Sequence, residues 1–269
     1  MMKIITLASV ESTNRYCEFL DLSEVEELTC YRALEQTAGI GQSLTNTASD
    51  AEGGRRHNQW FSGLAGENLA VSIVLKPTFL PAAAQFRLTQ ALSLAICDFL
   101  SGLDIRKPIQ IKWPNDIYVA GNKICGTLIS TRLCQSPQSL DNNDSHAAAV
   151  ISTAICGIGL NVNQTSFPAW VPNPTSVALL TGRRHDCAVL LHGLLEACRR
   201  RYQELRDGCD PTSEYLARLM NLGVARRYRY CGEELTATVT GVDLFGRLCL
   251  TTADDRPLVC SMKEITFLP

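Results

Sequence analysis

The sequence predicts an α+β fold followed by a small all-β segment. Strand-like apolar runs occur in clusters between three helical segments, which favours a layered α+β domain over a strictly alternating doubly wound sheet. In the last ~45 residues, short strands with turn signals follow one another, a spacing typical of a small barrel. We therefore expect a larger domain over residues 1–222 and a small barrel over residues 223–269.

Three segments have the apolar spacing of helices. The first follows Ser12, where hydroxyl side chains are placed to cap a helix N-terminus. Pro81 opens the second, in which apolar residues recur at helical spacing up to Gly102. The third begins at Asp186 and closes at Gly208. These three segments are predicted to form the helical layer of the larger domain.

The predicted strands are short apolar runs bounded by polar or turn residues. In chain order they are Thr29–Gln36, Leu69–Leu75, Ile109–Trp113, Ile117–Val119, Lys123–Thr131, Ala149–Cys156, Leu235–Val239, Arg247–Thr251, Leu258–Cys260 and Glu264–Phe267. Two polar stretches, residues 43–54 and 135–146, bury too little apolar surface to offset ordering and are predicted to be mobile loops. A free edge on the Leu69–Leu75 strand would leave homodimerisation open.

Composition excludes several classes of protein. The net charge is −2 and no block of five like charges occurs, so a basic face for nucleic acid is not expected. No apolar stretch reaches the ~20 residues that span a bilayer, and no export signal is recognisable. The twelve cysteines are scattered singly, which favours buried, reduced thiols over disulfides or zinc ligands. We therefore expect a cytoplasmic protein that binds neither nucleic acid nor membranes.

The strongest chemical signal is KWPND (112–116), followed by KICG (123–126). Pro114 ends a strand because it cannot donate to a sheet ladder, and a Gly-Asn turn sends the chain back so that Lys123 lies near the start of the next strand. Two lysines and one carboxylate on adjoining strands suit a site for phosphate, a metal ion and a substrate carboxylate. On residue types alone, an exposed hairpin with ordinary surface lysines is an equal alternative.

Two glycine-bearing segments follow strands elsewhere, QTAGIGQ (36–42) and CGIGLNVN (156–163). Glycines at such positions let the backbone approach an anion or a flat ligand closely. Taken singly, a plain turn or close packing explains each segment. Together with KWPND, three strand ends that each carry a polar partner indicate one site.

With these segments in this order, the chain resembles the biotin–protein ligase family. The matching segments are STN (12–14), QTAGIGQ (36–42), Trp60 with NL (68–69), KWPND (112–116), KICG (123–126), GIGLN (157–161) and NPTS (173–176). They cover about residues 10–180, and the C-terminal segment resembles the small SH3-like barrel of the family. Eleven residues precede Ser12, so the resemblance is to the monofunctional type without a DNA-binding domain.

The resemblance implies a catalytic domain like that of class II aminoacyl-tRNA synthetases, with a mixed, mainly antiparallel sheet flanked by helices. It also implies a ligase that forms biotinyl-5′-AMP from biotin and MgATP. Biotin is then transferred to a lysine of a biotin carboxyl carrier domain, in acetyl-CoA carboxylase or another biotin-dependent carboxylase or decarboxylase. The expected cofactors are therefore ATP and biotin as substrates, with Mg²⁺.

The resemblance also implies roles for single residues. Lys123 holds the biotin carboxylate against the α-phosphate. Lys112 strengthens the positive electrostatic field around these two anions, and Asp116 orients Mg²⁺ or polar groups. The implied biotin-binding residues are Ser12, Thr13, Asn14, Gln36, Gly39, Lys123, Gly126, Gly157 and Gly159. The implied residues for ATP and the adenylate are Gly41, Gln42, Trp60, Asn115 and Asn161.

One departure from the family concerns the glycine loop, where the family usually carries arginines. Here Ile40 and Gln42 stand at those positions, and Arg55 and Arg56 follow a polar insertion. An alternative alignment matches residues 54–56 to the loop instead. We expect Arg55 or Arg56 to fold over the adenylate and replace the missing charge. Alanine at both positions should then speed the release of free biotinyl-adenylate, and unchanged release would contradict this.

Two other functions remain open from the sequence. A lipoate or octanoyl-transfer relative shares the fold, but KWPND argues against it, and competition between acyl acids decides. A sensor that binds biotin or its adenylate without turnover is conceivable because the loop arginines are missing. Pyrophosphate release separates the two classes, since a sensor yields at most one equivalent.

Overall fold

The first 160 residues contain a seven-stranded mixed sheet. Its strands are β1 (Ile4–Val10), β2 (Thr29–Gln36), β3 (Leu69–Leu75), β4 (Ile109–Lys112), β5 (Asp116–Val119), β6 (Asn122–Gln135) and β7 (Ala149–Leu160). They lie in the order β1-β2-β3-β7-β6-β5-β4, with β1 parallel to β2 and every other pair antiparallel. The structure, a computed structural model, describes residues 2–39, 41, 60–135 and 149–268.

Helices cover both faces of this sheet. They are α1 (Thr13–Glu18), α2 (Phe86–Ser101), α3 (Val177–Thr181), α4 (Cys187–Arg206) and α5 (Thr212–Ala217), with a short 3-10 turn at Ala82–Ala84 before α2. Helices α2 and α4 pack on each other and enclose the main core, because their apolar stripes face the sheet. Helix α1 packs on the opposite face over a smaller apolar cluster around Cys17, Tyr31 and Ile155.

The predicted helix starts differ in how they are capped. The Asp186 carboxylate accepts hydrogen bonds from the backbone N–H groups of Ala188 and Val189 at 2.7 and 3.3 Å, which confirms Asp186 as the cap of α4. Ser12 is the N-cap residue of α1, but its hydroxyl makes no capping hydrogen bond, so that expectation was wrong. The Gln36 side chain from β2 accepts from the Thr13 N–H at 2.8 Å instead.

The strands β2 and β3 have the predicted bounds, whereas β6 and β7 run further than predicted. As a result Gly157 and Gly159 lie within β7 and not beyond its end. The strand β3 has no free edge through which a dimer could pair, because it is paired with β2 on one side and β7 on the other. Its sequence, apolar at every position except Ser72, is that of a central strand covered on both faces.

The C-terminal segment forms a second, antiparallel sheet of five strands. The strands are β8 (Ala225–Tyr230), β9 (Glu233–Val242), β10 (Leu248–Thr252), β11 (Pro257–Cys260) and β12 (Ile265–Phe267). Their order is β11-β10-β9-β8-β12, and within the described residues no pairing joins the two outer strands. The expected strands are therefore present. They form an open sheet, whereas a closed barrel was predicted.

The second sheet packs directly against the first domain at the turn after β4. The Trp113 indole N–H donates to the Gly246 carbonyl at 2.9 Å. A side chain at Gly246 would collide with the Phe86 ring of α2, so glycine is needed for this close approach. The main apolar core also runs without a break from α2 and α4 into residues of β8, β9 and β10.

The cysteines and the longest helices give two further observations. All twelve cysteines are free, and burial raises the pKa of the Cys30 and Cys97 thiols to about 12. Eight of the twelve are buried, as the sequence predicted, whereas Cys134, Cys209 and Cys231 are exposed and Cys249 is half-buried. Within the described ranges, none of the helices combines the length and apolar character needed to cross a bilayer.

Candidate active site

A cavity of about 370 Å³ opens on the face of the large sheet that carries α1. The N-terminus of α1, the strands β3, β7 and β6, and the β4–β5 turn surround it. The loop over residues 167–174 and the last strand, β12, complete its walls. Both sheets therefore contribute to one site.

The floor of the cavity is formed by positions that carry little or no side chain. Ala70, Gly159 and Gly126 lie opposite one another across β3, β7 and β6. A Cβ at Gly159 would lie 2.5 Å from Trp60 Cε2, and a Cβ at Gly157 would collide with the Asn14 side chain. The sequence GIG in β7 thus creates depth, because any larger residue would fill the slot.

One end of the cavity holds a network of neutral polar groups. Ser72 Oγ donates to Asn14 Oδ1 at 2.5 Å and lies 2.7 Å from Thr13 Oγ1. The Gln36 side-chain oxygen accepts from the Thr13 N–H, and the Asn14 amide donates to the Leu128 carbonyl at 2.9 Å. These bonds fix the rotamers of side chains that border the cavity, so donors and acceptors are pre-positioned for a polar ligand group.

The other end of the cavity is charged. The antiparallel register sets Lys112 opposite Asp116 and Tyr118 opposite Lys123, so these side chains share one face. Lys123 Nζ lies 2.7 Å from Asp116 Oδ2, and both side chains are partly buried. A Cβ at Gly126 would lie 3.1 Å from Asp116 Oδ1 and 3.4 Å from Lys123 Nζ, so a larger residue there would crowd this pair.

Lys112 has a different environment from Lys123. Its ammonium lies 5.3 Å from the ring centroids of both Tyr118 and Phe267. Burial lowers the pKa of Lys112, the Lys123 charge lowers it further, and the Asp116 carboxylate opposes both. Lys112 lines the cavity and makes no ion pair within the described part of the chain.

Two asparagines and the NPTS segment hold the strands that carry the lysines. The Asn115 amide donates to the Thr127 carbonyl at 2.7 Å, and the Asn161 amide donates to the Thr175 carbonyl at 2.9 Å. The Lys123 backbone pairs with this segment, since its N–H donates to the Asn173 carbonyl at 2.7 Å. These contacts fix the backbone from which the Lys123 side chain extends.

The structure brings most of the predicted site residues together. Those that line the cavity are Ser12, Thr13, Asn14, Gln36, Gly41, Trp60, Lys112, Asn115, Asp116, Lys123, Gly126, Gly157, Gly159 and Asn161. Gly39 lies behind the wall, where its carbonyl accepts from the Trp60 N–H at 2.9 Å. Ile40, Gln42, Arg55 and Arg56 lie outside the described residues, so the arginine hypothesis stays a prediction.

Sequence reasoning missed a second set of lining residues. They are Phe61, Tyr118, Phe167, Trp170 and Phe267. Sequence reasoning also missed Ser72, which is fully buried and hydrogen-bonds to Thr13 and Asn14 at the polar end. Ser72 had a signal, because it is the single polar residue in the apolar run LAVSIVL. The rings of Phe61 and Trp170 meet edge to face at 6.1 Å and form an apolar wall, but the two residues are far apart in the sequence.

The donor set for a divalent metal is sparse. No group of three or more His, Cys, Asp or Glu side chains that could hold a metal ion occurs in the described ranges. Asp116 offers one carboxylate, already paired with Lys123. Such a site fits Mg²⁺ that arrives bound to phosphates, because Mg²⁺ is often held by one or two protein carboxylates together with substrate phosphates and water.

Comparison with protein families gives a match over the first half of the chain. A model of the biotin/lipoate A/B protein ligase family matches residues 6–139. The bifunctional ligase/repressor BirA of Bacillus spizizenii is 25% identical over 251 residues, which are 91% of this chain and 72% of that protein. The biotin–[acetyl-CoA-carboxylase] ligase of Mycobacterium tuberculosis is 26% identical over 218 residues, covering 79% of this chain and 74% of that protein.

Solved structures give a match over the whole chain. The biotin protein ligase from Aquifex aeolicus in complex with biotin and ATP superimposes with a TM-score of 0.73 at 21% identity, and 100% of each chain is covered. At this identity the likeness establishes the fold. The architecture of both sheets together is thus that of a known group of proteins.

Proposed function

The chain belongs to the biotin/lipoate A/B protein ligase family, and we propose that it is an ATP-dependent biotin–protein ligase. In this proposal it joins biotin to ATP as biotinyl-5′-AMP and transfers the biotinyl group to a lysine of a biotin carboxyl carrier domain. The observation that carries the proposal is the layout of the cavity. A neutral polar end and a doubly cationic end lie at opposite sides of a glycine floor.

The neutral end suits the ureido head of biotin. That head has one carbonyl and two N–H groups, and it needs a few fixed donors and acceptors in a slot that is otherwise apolar. Ser12, Thr13, Asn14 and Gln36 supply these groups, and Ser72 holds two of them in place. The floor of Gly126, Gly157 and Gly159 receives the flat ring system.

The cationic end suits the first chemical step. The biotin carboxylate attacks the α-phosphorus of ATP, a new O–P bond forms, and the bond to the β-phosphate oxygen breaks, so that pyrophosphate leaves. Both reactants are anions, and cations must offset their repulsion before an in-line attack can occur. Lys123 holds the carboxylate against the α-phosphate, and Lys112 adds positive charge from the neighbouring strand.

The adenylate is held beside these lysines. Trp60 packs beside the adenine, while Gly41, Gln42, Asn115 and Asn161 contribute contacts to the nucleotide. Asp116 accepts polar groups or provides one carboxylate to the Mg²⁺ that ATP carries. The support for this part is that Trp60, Asn115 and Asp116 all line the cavity.

The second step transfers biotin to protein. The acceptor lysine attacks the carbonyl carbon of the mixed anhydride as a free amine, an amide forms, and AMP leaves with the electrons of the broken C–O bond. We propose a biotin carboxyl carrier domain as the partner, in acetyl-CoA carboxylase or a related biotin-dependent enzyme. We also propose that the protein is cytoplasmic, that it does not bind nucleic acid, and that residues 223–269 form a C-terminal unit.

We extend the proposal to the finer fold class. The mixed sheet with helices on both faces would be a class II aminoacyl-tRNA synthetase-like domain, and the five-stranded sheet an SH3-like unit. The strand count and the antiparallel order of the second sheet support this assignment. Three residues of the second sheet, Ile265, Thr266 and Phe267, line the cavity, which supports a role for this sheet at the site.

The test is labelling of a purified biotin-carrier domain in the presence of biotin and MgATP. We expect the wild type to label the carrier and Lys123→Ala to abolish labelling, because the variant loses the cation at the reacting carboxylate. Lys107→Ala is the matched control, since Lys107 is exposed and outside the cavity. Its labelling should equal that of the wild type.

The alternatives give other outcomes. No labelling together with retained biotin binding would favour a sensor, and at most one equivalent of pyrophosphate would be released. Stronger competition by lipoic or octanoic acid than by biotin would favour an acyl-transfer relative. Steady pyrophosphate release that depends on biotin and on the carrier supports the ligase.

A further inference from the structure

The last strand of the C-terminal sheet reaches the cationic end of the cavity. Phe267 lies on β12, and its ring centroid is 5.3 Å from Lys112 Nζ. Tyr118 on β5 presents its own ring at the same distance from that ammonium. The cation therefore lies over two aromatic rings that come from different sheets.

We propose that Phe267 is a positioning residue that, with Tyr118, holds the Lys112 ammonium towards the phosphates of a bound nucleotide. The proposal rests on the ligase function for the identity of the ligand, but the contact between Phe267 and Lys112 does not. Aromatic faces attract cations through the ring quadrupole, and the attraction is strongest where water is excluded. Lys112 has a long flexible stem, so a second ring restricts where its charge can lie.

The ring of Phe267 is itself held in place. It contacts the Tyr228 ring edge to face at a centroid distance of 5.3 Å, and Tyr228 is fully buried in the core. The backbone of Phe267 pairs with Tyr228 in the antiparallel β8–β12 ladder. A strand held by its neighbour therefore presents the ring, and the C-terminal sheet contacts the Lys112 ammonium through Phe267.

The contact between Phe267 and Lys112 affects the charge available at this end of the cavity. Lys123 is engaged with Asp116 at 2.7 Å, whereas Lys112 makes no ion pair in the described residues. Burial and the neighbouring Lys123 both lower the pKa of Lys112. Two ring faces offset part of the cost of an ammonium at this position without neutralising it, as a carboxylate would. The charge remains available to an incoming polyphosphate.

The first arm of the test reads the contact without any ligand. The chain has six lysines, so protein labelled with ¹³C at lysine Cε gives six signals, and Lys112→Met identifies the one from Lys112. We expect ring currents to displace that signal, Phe267→Leu to move it towards the exposed lysines, and Phe267→Tyr to leave it in place. An unchanged signal in Phe267→Leu would overturn the proposal.

The second arm measures nucleotide affinity by calorimetry. The ligand is Mg²⁺ with α,β-methylene-ATP, whose α,β linkage cannot be cleaved. Phe267→Leu should weaken binding about 5- to 30-fold, the range of a desolvated cation–π contact. Phe267→Tyr should retain most of the nucleotide affinity of the wild type, and the affinity for biotin should not change in either variant.

A double-mutant cycle separates positioning from general damage. If Phe267 acts through Lys112, Phe267→Leu should have no further effect on nucleotide affinity in a Lys112→Met background. Leu250→Ala is the control for a loosened C-terminal sheet, because Leu250 is buried in β10 and does not line the cavity. An equal loss of affinity in Leu250→Ala, or an undiminished effect in the double variant, would overturn the proposal.

The two arms also separate this inference from the proposed function. If the wild type binds no α,β-methylene-ATP, the ligase proposal fails and so does the role of Phe267 towards phosphate. If the wild type binds the nucleotide and labels the carrier while Phe267→Leu is indistinguishable from it, only the present inference fails.

Discussion

At the scale of single residues, the depth of the cavity depends on one glycine. A methyl group at position 159 would lie 2.5 Å from Trp60 Cε2, so Trp60 must move or the slot must become shallower. We expect Gly159→Ala to weaken biotin binding at least about tenfold, because a methyl in the slot removes a ligand contact or adds a clash of 1–3 kcal/mol. Calorimetric titration with biotin measures this.

The control for that change is another strand glycine. Nothing lies within 4 Å of a Cβ at Gly241 in β9, and its backbone has no positive φ, so Gly241→Ala should leave biotin affinity unchanged. Wild-type affinity in Gly159→Ala would mean that the ligand does not lie on this floor.

Lys112 also leads to a prediction about pH. Burial lowers its pKa, with a further lowering from Lys123 and an opposing effect from Asp116. Its charge is therefore present below the lowered pKa and is lost as the pH rises through it, earlier than for an exposed lysine. We expect biotin-dependent pyrophosphate release to decline on the alkaline side in this range.

Lys112→Arg tests the assignment of that decline. A guanidinium keeps its charge at all accessible pH values, so the decline should move to higher pH, at whatever absolute rate the variant retains. The same midpoint in Lys112→Arg and in the wild type would assign the decline to another group.

At the scale of elements, the turn over residues 113–116 is held from both sides. Trp113 donates to the C-terminal sheet through Gly246, and the Tyr215 hydroxyl of α5 donates to the Pro114 carbonyl at 2.8 Å. This turn carries Asn115 and Asp116 into the cavity. Its position is therefore fixed by packing partners, and not by the sequence KWPND alone.

Tyr215→Phe should therefore destabilise the fold. Removal of the hydroxyl leaves the buried Pro114 carbonyl without its donor, a loss of about 1–3 kcal/mol in the free energy of unfolding. Urea denaturation measures it. Tyr228→Phe is the matched control, because Tyr228 is equally buried and its hydroxyl has no partner within the described chain. We expect that change to be neutral or stabilising, and an equal loss in both variants would contradict the role given to Tyr215.

The same elements indicate what the sequence can predict. β2 and β3 were predicted to the residue, because β3 is a nearly apolar run between polar residues and β2 ends where a glycine-bearing loop begins. β1 and the short helices α3 and α5 were not predicted, since an edge strand is identified by its partner and five or six residues carry too little periodicity. Boundaries therefore follow local chemistry, whereas short elements depend on packing.

The candidate site divides in the same way. Lys112, Asp116 and Lys123 were found because they lie within 12 residues on adjoining strands, so local register brings them together. Phe61, Trp170 and Phe267 were not found, because only the tertiary fold brings a loop after β7 and the last strand to the same cavity. The motifs predicted the charged end and most of the floor, and packing supplied the aromatic walls.

At the scale of the whole molecule, the two sheets share one core. Buried residues of β8, β9 and β10 belong to the same apolar cluster as α2 and α4, and Trp113 and Gly246 join the sheets by a hydrogen bond. A shared core couples the stability of its parts, because neither side can lose its partner without exposing apolar surface. The predicted domain boundary between residues 222 and 223 marks a change in sequence character. It does not imply that the two parts unfold separately.

We expect the chain to unfold in one transition. Far-ultraviolet circular dichroism reports on both sheets, whereas fluorescence reports on Trp60, Trp113 and Trp170 around the cavity, and the two midpoints in urea should coincide. Leu250→Ala, buried in β10, should lower both midpoints together, with a loss of about 2–5 kcal/mol. If the C-terminal sheet were only an appended unit, Leu250→Ala would split the transition and leave the fluorescence midpoint near that of the wild type. Coincident shifts would instead mean that the two sheets unfold as one cooperative unit.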